Sequence, residues 1–420
     1  MGKTKTLIPM GRGGGMGYQL PYPVMIEKGK GCWIWDVDGN RYLDLRIGDW
    51  VLIHGYCDDD INNAVAAQMA KATQVGGPEW EVGYRMAKLL VERMPSVEKV
   101  RFFTSGTETN NFAIRMARVF TGKLKIAKTE ASYHGVGDIL LVGTSIIRDT
   151  KQWLPTGIMP SVGEEVVEIP YNDPDGAEAV LERHGHEIAA ILIEPVLGAA
   201  GMIPATTEYL QRLRDVATRK NILLIFDEVV TFPVAYGGAQ AHHKVTPDLT
   251  TMSKAIGGGL PAAAIGGRAD IMDLLEPDAH NGQAPLAAAA TFGGNMAALA
   301  AGIAALEKLT PEAHDKVNAL GKRAMAGIDA LGKRYSIPLH ATGLGHLFAM
   351  HWAPEKVCDL RTRLMDDREK LVNINLGLMN DGYYQMYFGS FLLSTAHGEQ
   401  EIDDFLAAME NVLHRLEYVS

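Results

Sequence analysis

The sequence predicts an α/β protein: a large domain with a mostly parallel central sheet flanked by helices, and a smaller α+β lobe made from both chain ends. Three observations predict it. From about residue 100, short apolar runs alternate with helical stretches, the pattern of a parallel sheet covered by helices on both sides. Runs with little internal alternation, ILLIF (222–226) above all, suit strands buried on both faces. The chain has 420 residues, 47% hydrophobic and 21% charged, too long for one small module and too apolar for a disordered chain. The expected division is 1–55 for the N-terminal part of the small lobe, 56–310 for the large domain and 311–420 for the C-terminal part.

The elements follow in order. A Gly-rich lead, GRGGGMG (11–17), lacks dinucleotide-binding spacing and ends in the stiff Pro21-Tyr22-Pro23. CWIWDVDGNRYLDL (32–45) alternates apolar and polar residues around Asp38-Gly39, a β-hairpin signature. Helical periodicity marks DINNAVAAQMAKA, with Asp60 as its N-cap, and EVGYRMAKLLVERM. Strands are expected at VRFFT (100–104), KIAKT (125–129), IAAILIEPV (188–196) and ILLIFDEV (222–229). Helices are expected from about Glu108 to Phe120 and around EYLQRLRDVATRK. Gly282 to Leu306 holds no charged residue, but its apolar residues are mostly Ala and it contains Pro285, Gly293 and Gly294. A membrane span needs about 20 strongly apolar residues; this run reads as a loop followed by a buried Ala-rich helix. EIDDFLAAMENVLHRL closes the chain as an amphipathic helix.

Forty basic against fifty acidic residues give a net charge of −10, with no Lys/Arg block. No nucleic-acid or membrane partner is expected. Cys32, Cys57 and Cys358 are too few and scattered for a disulfide framework or zinc knuckle, and MGKTKTLIPM lacks the apolar core of a signal peptide. The expected location is the cytoplasm. His184, His186, His242 and His243 have no carboxylates at metal-ligand spacing, so no metal is expected.

In an open parallel sheet, ligands sit beyond the carboxyl ends of the strands. After VRFFT come Ser105-Gly106-Thr107-Glu108 and then a helix. Such a turn offers N–H groups and hydroxyls to a phosphate, although an ordinary capping turn reads the same way. After ILLIF comes Asp227, a carboxylate closing a buried strand; it is a helix cap, half of a buried salt bridge, or the partner of a protonated ring nitrogen or metal. Lys254 lies in the uncharged stretch MSKAIGGGLP. Apolar surroundings favour the neutral amine that a Schiff base requires. A solvated loop lysine is the alternative.

SGTETNN, ASYHG, ILIEPV, LLIFDEVVTF, MSKAIGGGLPAAAIGG and ATFGGN occur in that order. Together they resemble the class III pyridoxal-phosphate aminotransferases, in the branch with glutamate-1-semialdehyde aminomutase and β-amino-acid aminotransferases. The resemblance is strong over about residues 20–310 and weaker to FLLSTAHGEQEIDDF. It implies fold type I of the PLP-dependent transferases and the cofactor pyridoxal 5'-phosphate. Lys254 would form the Schiff base with the cofactor, and Asp227 would hold the pyridine nitrogen protonated. Ser105, Gly106 and Thr107 would hold the phosphate. Tyr133 would stack on one ring face and Val229 would pack on the other, with His134 and Glu194 also near the cofactor. Thr291 would reach the cofactor of the neighbouring subunit, implying a homodimer.

The sequence also departs from the family. Many members read DEVQTGFGR where this chain reads DEVVTFP, which makes that neighbourhood more apolar. No Arg occurs between Arg368 and Arg415, where many members place a carboxylate-binding Arg; the aromatic stretch YYQMYF (383–388) lies there instead. Arg12 and Arg46 are the substitute candidates, and Glu399 matches a weak family signature. The expected reaction is transfer of an amino group from an amino acid, β-amino acid or amine to a keto acid or aldehyde. An aminomutase or racemase would share these residues. A binding protein without turnover would need neither Lys254 nor Asp227.

Overall fold

A computed structural model describes residues 24–75, 80–144, 153–288, 290–385 and 389–420. Arg12, the Gly-rich lead and Pro21-Tyr22-Pro23 lie outside the described residues, as do Met386, Tyr387 and Phe388. The chain divides into two compact units. One runs to Asp58 and adds Lys316–Val357 and Thr362–Ser420; the other is Asp59–Asp315 with Cys358–Arg361.

The second unit holds a seven-stranded sheet. Its strands in chain order are β1 (Lys99–Phe103), β2 (Lys125–Thr129), β3 (Val166–Ile169), β4 (Ile188–Ile193), β5 (Leu223–Asp227), β6 (Leu249–Met252) and β7 (Ala263–Gly267). They lie side by side as β1-β7-β6-β5-β4-β2-β3. Six run one way, and β7 alone is reversed, antiparallel to both β6 and β1. Every residue of β4 and β5 is buried, as their unbroken apolar sequences require.

Helices α1 (Asp59–Met69), α2 (Glu81–Arg93), α3 (Gly106–Thr121), α4 (Pro174–His184), α5 (Thr207–Lys220) and α6 (Met296–Lys308) accompany the sheet. The side-chain period of two sends alternate strand residues into two cores. Ala263 and Ile265 join Phe112, Ile114 and Met116 of α3, whereas Ala264 and Met252 meet Met86 and Leu90 of α2 and Leu299 and Ile303 of α6. The uncharged run thus contains a buried helix, and no described helix is long and apolar enough to cross a membrane. α1 starts at Asp59, so Asp60 lies inside the first turn rather than at the cap. Both acids there sit at the positive end of the helix, where negative charge is favoured.

In the first unit, Trp33–Asp36 and Arg41–Asp44 form the expected hairpin, with Trp33 opposite Leu43. The Asp36 carboxylate accepts the N–H groups of Asp38 and Asn40 and fixes the turn. Tyr383–Tyr384 adds a short parallel strand beside Arg41–Asp44. Leu339–Leu344, Leu347–Trp352 and Ser390–Leu392 make a separate antiparallel sheet. The closing helix spans Glu399–Arg415.

Candidate active site

Strand register brings the chemistry-bearing residues of the second unit to one sheet edge. Asp227, the last residue of β5, is level with Thr251 on β6, so Lys254 follows three residues beyond it on the neighbouring strand. Phe226 is level with Ile193 of β4, which puts Glu194 beside Asp227. Phe103 of β1 is level with Ala263 of β7, where the chain returns from the Lys254 turn, and Ser105-Gly106-Thr107 follows. Tyr133 and His134 leave the same edge after β2.

Apolar burial of Leu223–Phe226 carries the Asp227 carboxylate inward, and three donors meet it there. Oδ2 accepts the Asn110 side-chain amide at 2.8 Å and His134 Nδ1 at 2.7 Å; Oδ1 accepts the Val229 N–H at 3.0 Å. His134 is buried, and desolvation holds its pKa below the ordinary value despite the pull of Asp227. A carboxylate only accepts, so Nδ1–H is the donor in this contact. His134 Nε2 is buried and has no hydrogen-bond partner among the described residues. Glu228, next along the chain, faces the other way and accepts the N–H groups of Ala239 and Gln240.

Ser105 caps α3. Its Oγ accepts the Glu108 N–H, and the Glu108 carboxylate accepts the Thr104 and Ser105 N–H groups. The capping turn weighed from sequence is thus formed. The N–H groups of Gly106 and Thr107, in the first helical turn, have no intrahelical acceptor. A Cβ on Gly106 would lie 2.9 Å from Val229 Cγ2, so the glycine makes room for the valine. Gly135 has φ +116°, and a Cβ there would lie 2.2 Å from Thr107 Oγ1, which itself accepts the Val136 N–H. The Ser105–Thr107 turn, Val229 and the loop after Tyr133 are packed together.

Glu194 is buried; Oε1 accepts the Tyr133 N–H at 2.8 Å and Oε2 the Gly198 N–H at 3.1 Å. Burial, and then the charge of Asp227, push its pKa up to about 8. Lys254 is half-buried with φ +53°, a backbone conformation uncommon for a residue with a Cβ and frequent at functional sites. The turn that follows it packs on α6, where Gly302 leaves space for the Ile256 carbonyl.

Three further candidates from the sequence have surroundings of their own. Thr291 is exposed beside Phe292, with its carbonyl held by the Gln74 side chain. Arg46, in the first unit, is buried and paired with Asp49 at 2.7 Å. Glu399 opens the closing helix of that unit, largely exposed, 3.7 Å from Arg323. Sequence reasoning missed Asn110 and Thr251. Asn110 Nδ2 also donates to the His134 carbonyl, and its Oδ1 accepts the Thr251 hydroxyl at 2.6 Å. Asn110 lies one helical turn beyond Thr107, on the same face of α3, and that spacing was the available signal.

The sequence pattern of the class-III aminotransferases matches residues 17–388. The chain belongs to that family. Among its relatives, glutamate-1-semialdehyde 2,1-aminomutase 1 of Listeria innocua is 38% identical over 393 residues, 92% of this chain and 90% of that protein. An omega-transaminase from Sphaerobacter thermophilus superposes with a TM-score of 0.92 at 35% identity, covering 98% of this chain and 95% of its own. A β-phenylalanine aminotransferase from Variovorax paradoxus gives 0.90 at 33% identity, covering 98% and 92%. A transaminase solved with PLP bound gives 0.89 at 31% identity, covering 98% and 95%. This class-III protein is a pyridoxal-phosphate-dependent enzyme with the fold type I architecture. Its residues fit that cofactor: first-turn N–H groups for a phosphate, a buried carboxylate for a ring nitrogen, and a lysine at the end of the adjacent strand.

Proposed function

We propose that this class-III enzyme is an aminotransferase that moves an amino group from an amino acid, β-amino acid or amine to a keto acid or aldehyde, using Lys254. The observation that carries the proposal is the pairing of β5 with β6, which sets Lys254 beyond a strand end beside the triply hydrogen-bonded Asp227. The solved relatives above 30% identity include an omega-transaminase and a β-phenylalanine aminotransferase, which supports the transfer reading.

Bound at this edge, pyridoxal phosphate supplies an aldehyde that condenses with amines and a ring that withdraws electrons. The N–H groups of Gly106 and Thr107 and the hydroxyl groups of Ser105 and Thr107 would hold the phosphate, with the dipole of α3 adding to the attraction. Asp227, held in orientation by Asn110 and His134, would present its carboxylate to the ring nitrogen and keep it protonated. Tyr133 and Val229 would enclose the two ring faces, with Glu194 near the edge. Lys254 Nζ would take a proton from the substrate carbon as base and, as acid, deliver it to the carbon of the cofactor's former aldehyde rather than back to its origin. Arg46 is the proposed partner of a substrate carboxylate. The proposed assembly is a homodimer in which Thr291 reaches the neighbouring subunit's phosphate; its exposure beside a 60% exposed Phe292 supports this.

The aminomutase relative at 38% identity favours a second reading, return of the amino group to a neighbouring carbon of the same molecule. Following the amino group separates the two. Transfer predicts consumption of an added keto acid or aldehyde in step with the donor. Isomerisation of a donor without any acceptor would overturn transfer in favour of the mutase. In Lys254→Ala the visible absorption of the linked cofactor should vanish. Turnover at the wild-type rate in that variant would remove Lys254 from the mechanism.

A further inference from the structure

Lys128, on β2, has no part in the chemistry above and is 2% exposed; among the described residues no other lysine is buried. A buried ammonium is harder to desolvate than an apolar side chain of the same size, so core filling does not explain it. Its hydrogen bonds do. Nζ donates to the Leu140 carbonyl at 2.5 Å and the Val142 carbonyl at 2.9 Å. Both carbonyls belong to a loop whose ends meet in a bridge between Ala131 and Thr144. Tyr133 and His134 lie in the front half of that loop. There Glu194 accepts the Tyr133 N–H, Asn110 donates to the His134 carbonyl and Thr107 accepts the Val136 N–H. An acid side chain thus holds a main-chain donor at the front of the loop, and an amine holds main-chain acceptors at its back. Burial pushes the Lys128 pKa down to about 7, and the nearby Glu194 and Glu168 oppose that fall.

We infer that Lys128 is a positioning residue that, with Glu194, clamps the loop 131–144 and fixes the Tyr133 ring before the cofactor binds. The inference rests on the proposed stacking role of Tyr133. Two measurements test it.

The first compares the dissociation constant for pyridoxal phosphate, and the visible circular dichroism of the bound cofactor, in wild type, Lys128→Met, Tyr133→Ala and the double variant. Lys128→Met should weaken binding by roughly tenfold, the size of one hydrogen bond to a charged group, and Tyr133→Ala by at least as much, because it removes the ring through which the lysine acts. The double variant should bind about as weakly as Tyr133→Ala alone, because the lysine acts through the tyrosine. Unchanged affinity and dichroism in Lys128→Met, or additive losses in the double variant, would overturn the clamp while leaving Tyr133 in its role. Unchanged affinity in Tyr133→Ala would overturn the stacking reading itself.

The second measurement uses the wild-type protein and needs no variant to fold. Hydrogen exchange at residues 134–142 should be about as slow in the apoenzyme as in the holoenzyme. Fast exchange that slows only when cofactor is added would overturn the clamp.

Discussion

Replacing Asn110 by Leu keeps the side-chain volume close to native and removes every polar atom. Three hydrogen bonds disappear: one to the Asp227 carboxylate, one to the His134 carbonyl and one from the Thr251 hydroxyl. A hydrogen bond to a charged group contributes about 1.5–3 kcal/mol net, and a neutral one about 1. The two neutral losses burden folding, because a buried carbonyl and hydroxyl lose their partner. The charged loss bears on the reaction, since Asp227 retains His134 and the Val229 N–H but is no longer held from the α3 side. Taken wholly in the transition state, about 1.5–3 kcal/mol lowers the rate by roughly 10- to 150-fold. The assay is the single-turnover half-reaction: mix holoenzyme with an amino donor and follow the visible spectrum of the cofactor. A thermal melt of the same sample records the folding burden separately. A wild-type half-reaction in a variant whose melting temperature has fallen would show that Asn110 only supports the fold, and the argument for its hold on Asp227 would fail.

Two further outcomes are expected. Gly135→Ala forces a Cβ into Thr107 at a backbone angle that L residues rarely adopt. Strain and overpacking of about 1–3 kcal/mol each should detach the Tyr133 loop and weaken cofactor retention on gel filtration, whereas wild-type retention would refute the packing argument. His397 is buried and accepts the Ser394 N–H on Nδ1, and desolvation pushes its pKa down to about 4. An unfolded histidine titrates near 6.5, so between there and 4 the unfolded chain binds the extra proton. Stability from this group is present above about pH 6.5 and is lost as the pH falls through that window, by at most about 1.4 kcal/mol per pH unit. Urea unfolding from pH 7 to 5 should show a shallower fall in His397→Gln than in wild type, and equal slopes would refute the assignment.

The parts of the site that follow unbroken apolar runs were legible in the sequence. Asp227 after ILLIF and Glu194 after IAAILI could be placed because burial of those strands depends on composition alone. Besides β3, two central strands escaped notice because their burial is polar or small. LTTM of β6 carries Thr250 and Thr251, which are fully buried and bonded to Ser96 and Asn110, so a central strand reads as a polar loop. AAIGG of β7 has almost no side chains, and its reversed direction comes from pairing that no local pattern encodes. KIAKT looks like an ordinary strand with a solvated lysine at its fourth residue. What buries Lys128 is a pair of carbonyls 12 and 14 residues downstream, invisible to any short window. The first asparagine of TNN, Asn110, raised no expectation for the same reason: its partners come from β5, β6 and the loop after β2.

The reversal of β7 has a mechanical corollary. Because β6 and β7 are antiparallel neighbours, the chain between Met252 and Ala263 is anchored at each end in the same sheet, and the Ser253 hydroxyl fastens its base by donating to the Ala262 carbonyl at 2.8 Å. Lys254 therefore rides on a beam supported at two points rather than on a cantilever leading off into a crossover. Whatever reach its amine requires between partners must come from torsions of its own four-carbon stem, not from travel of the main chain beneath it.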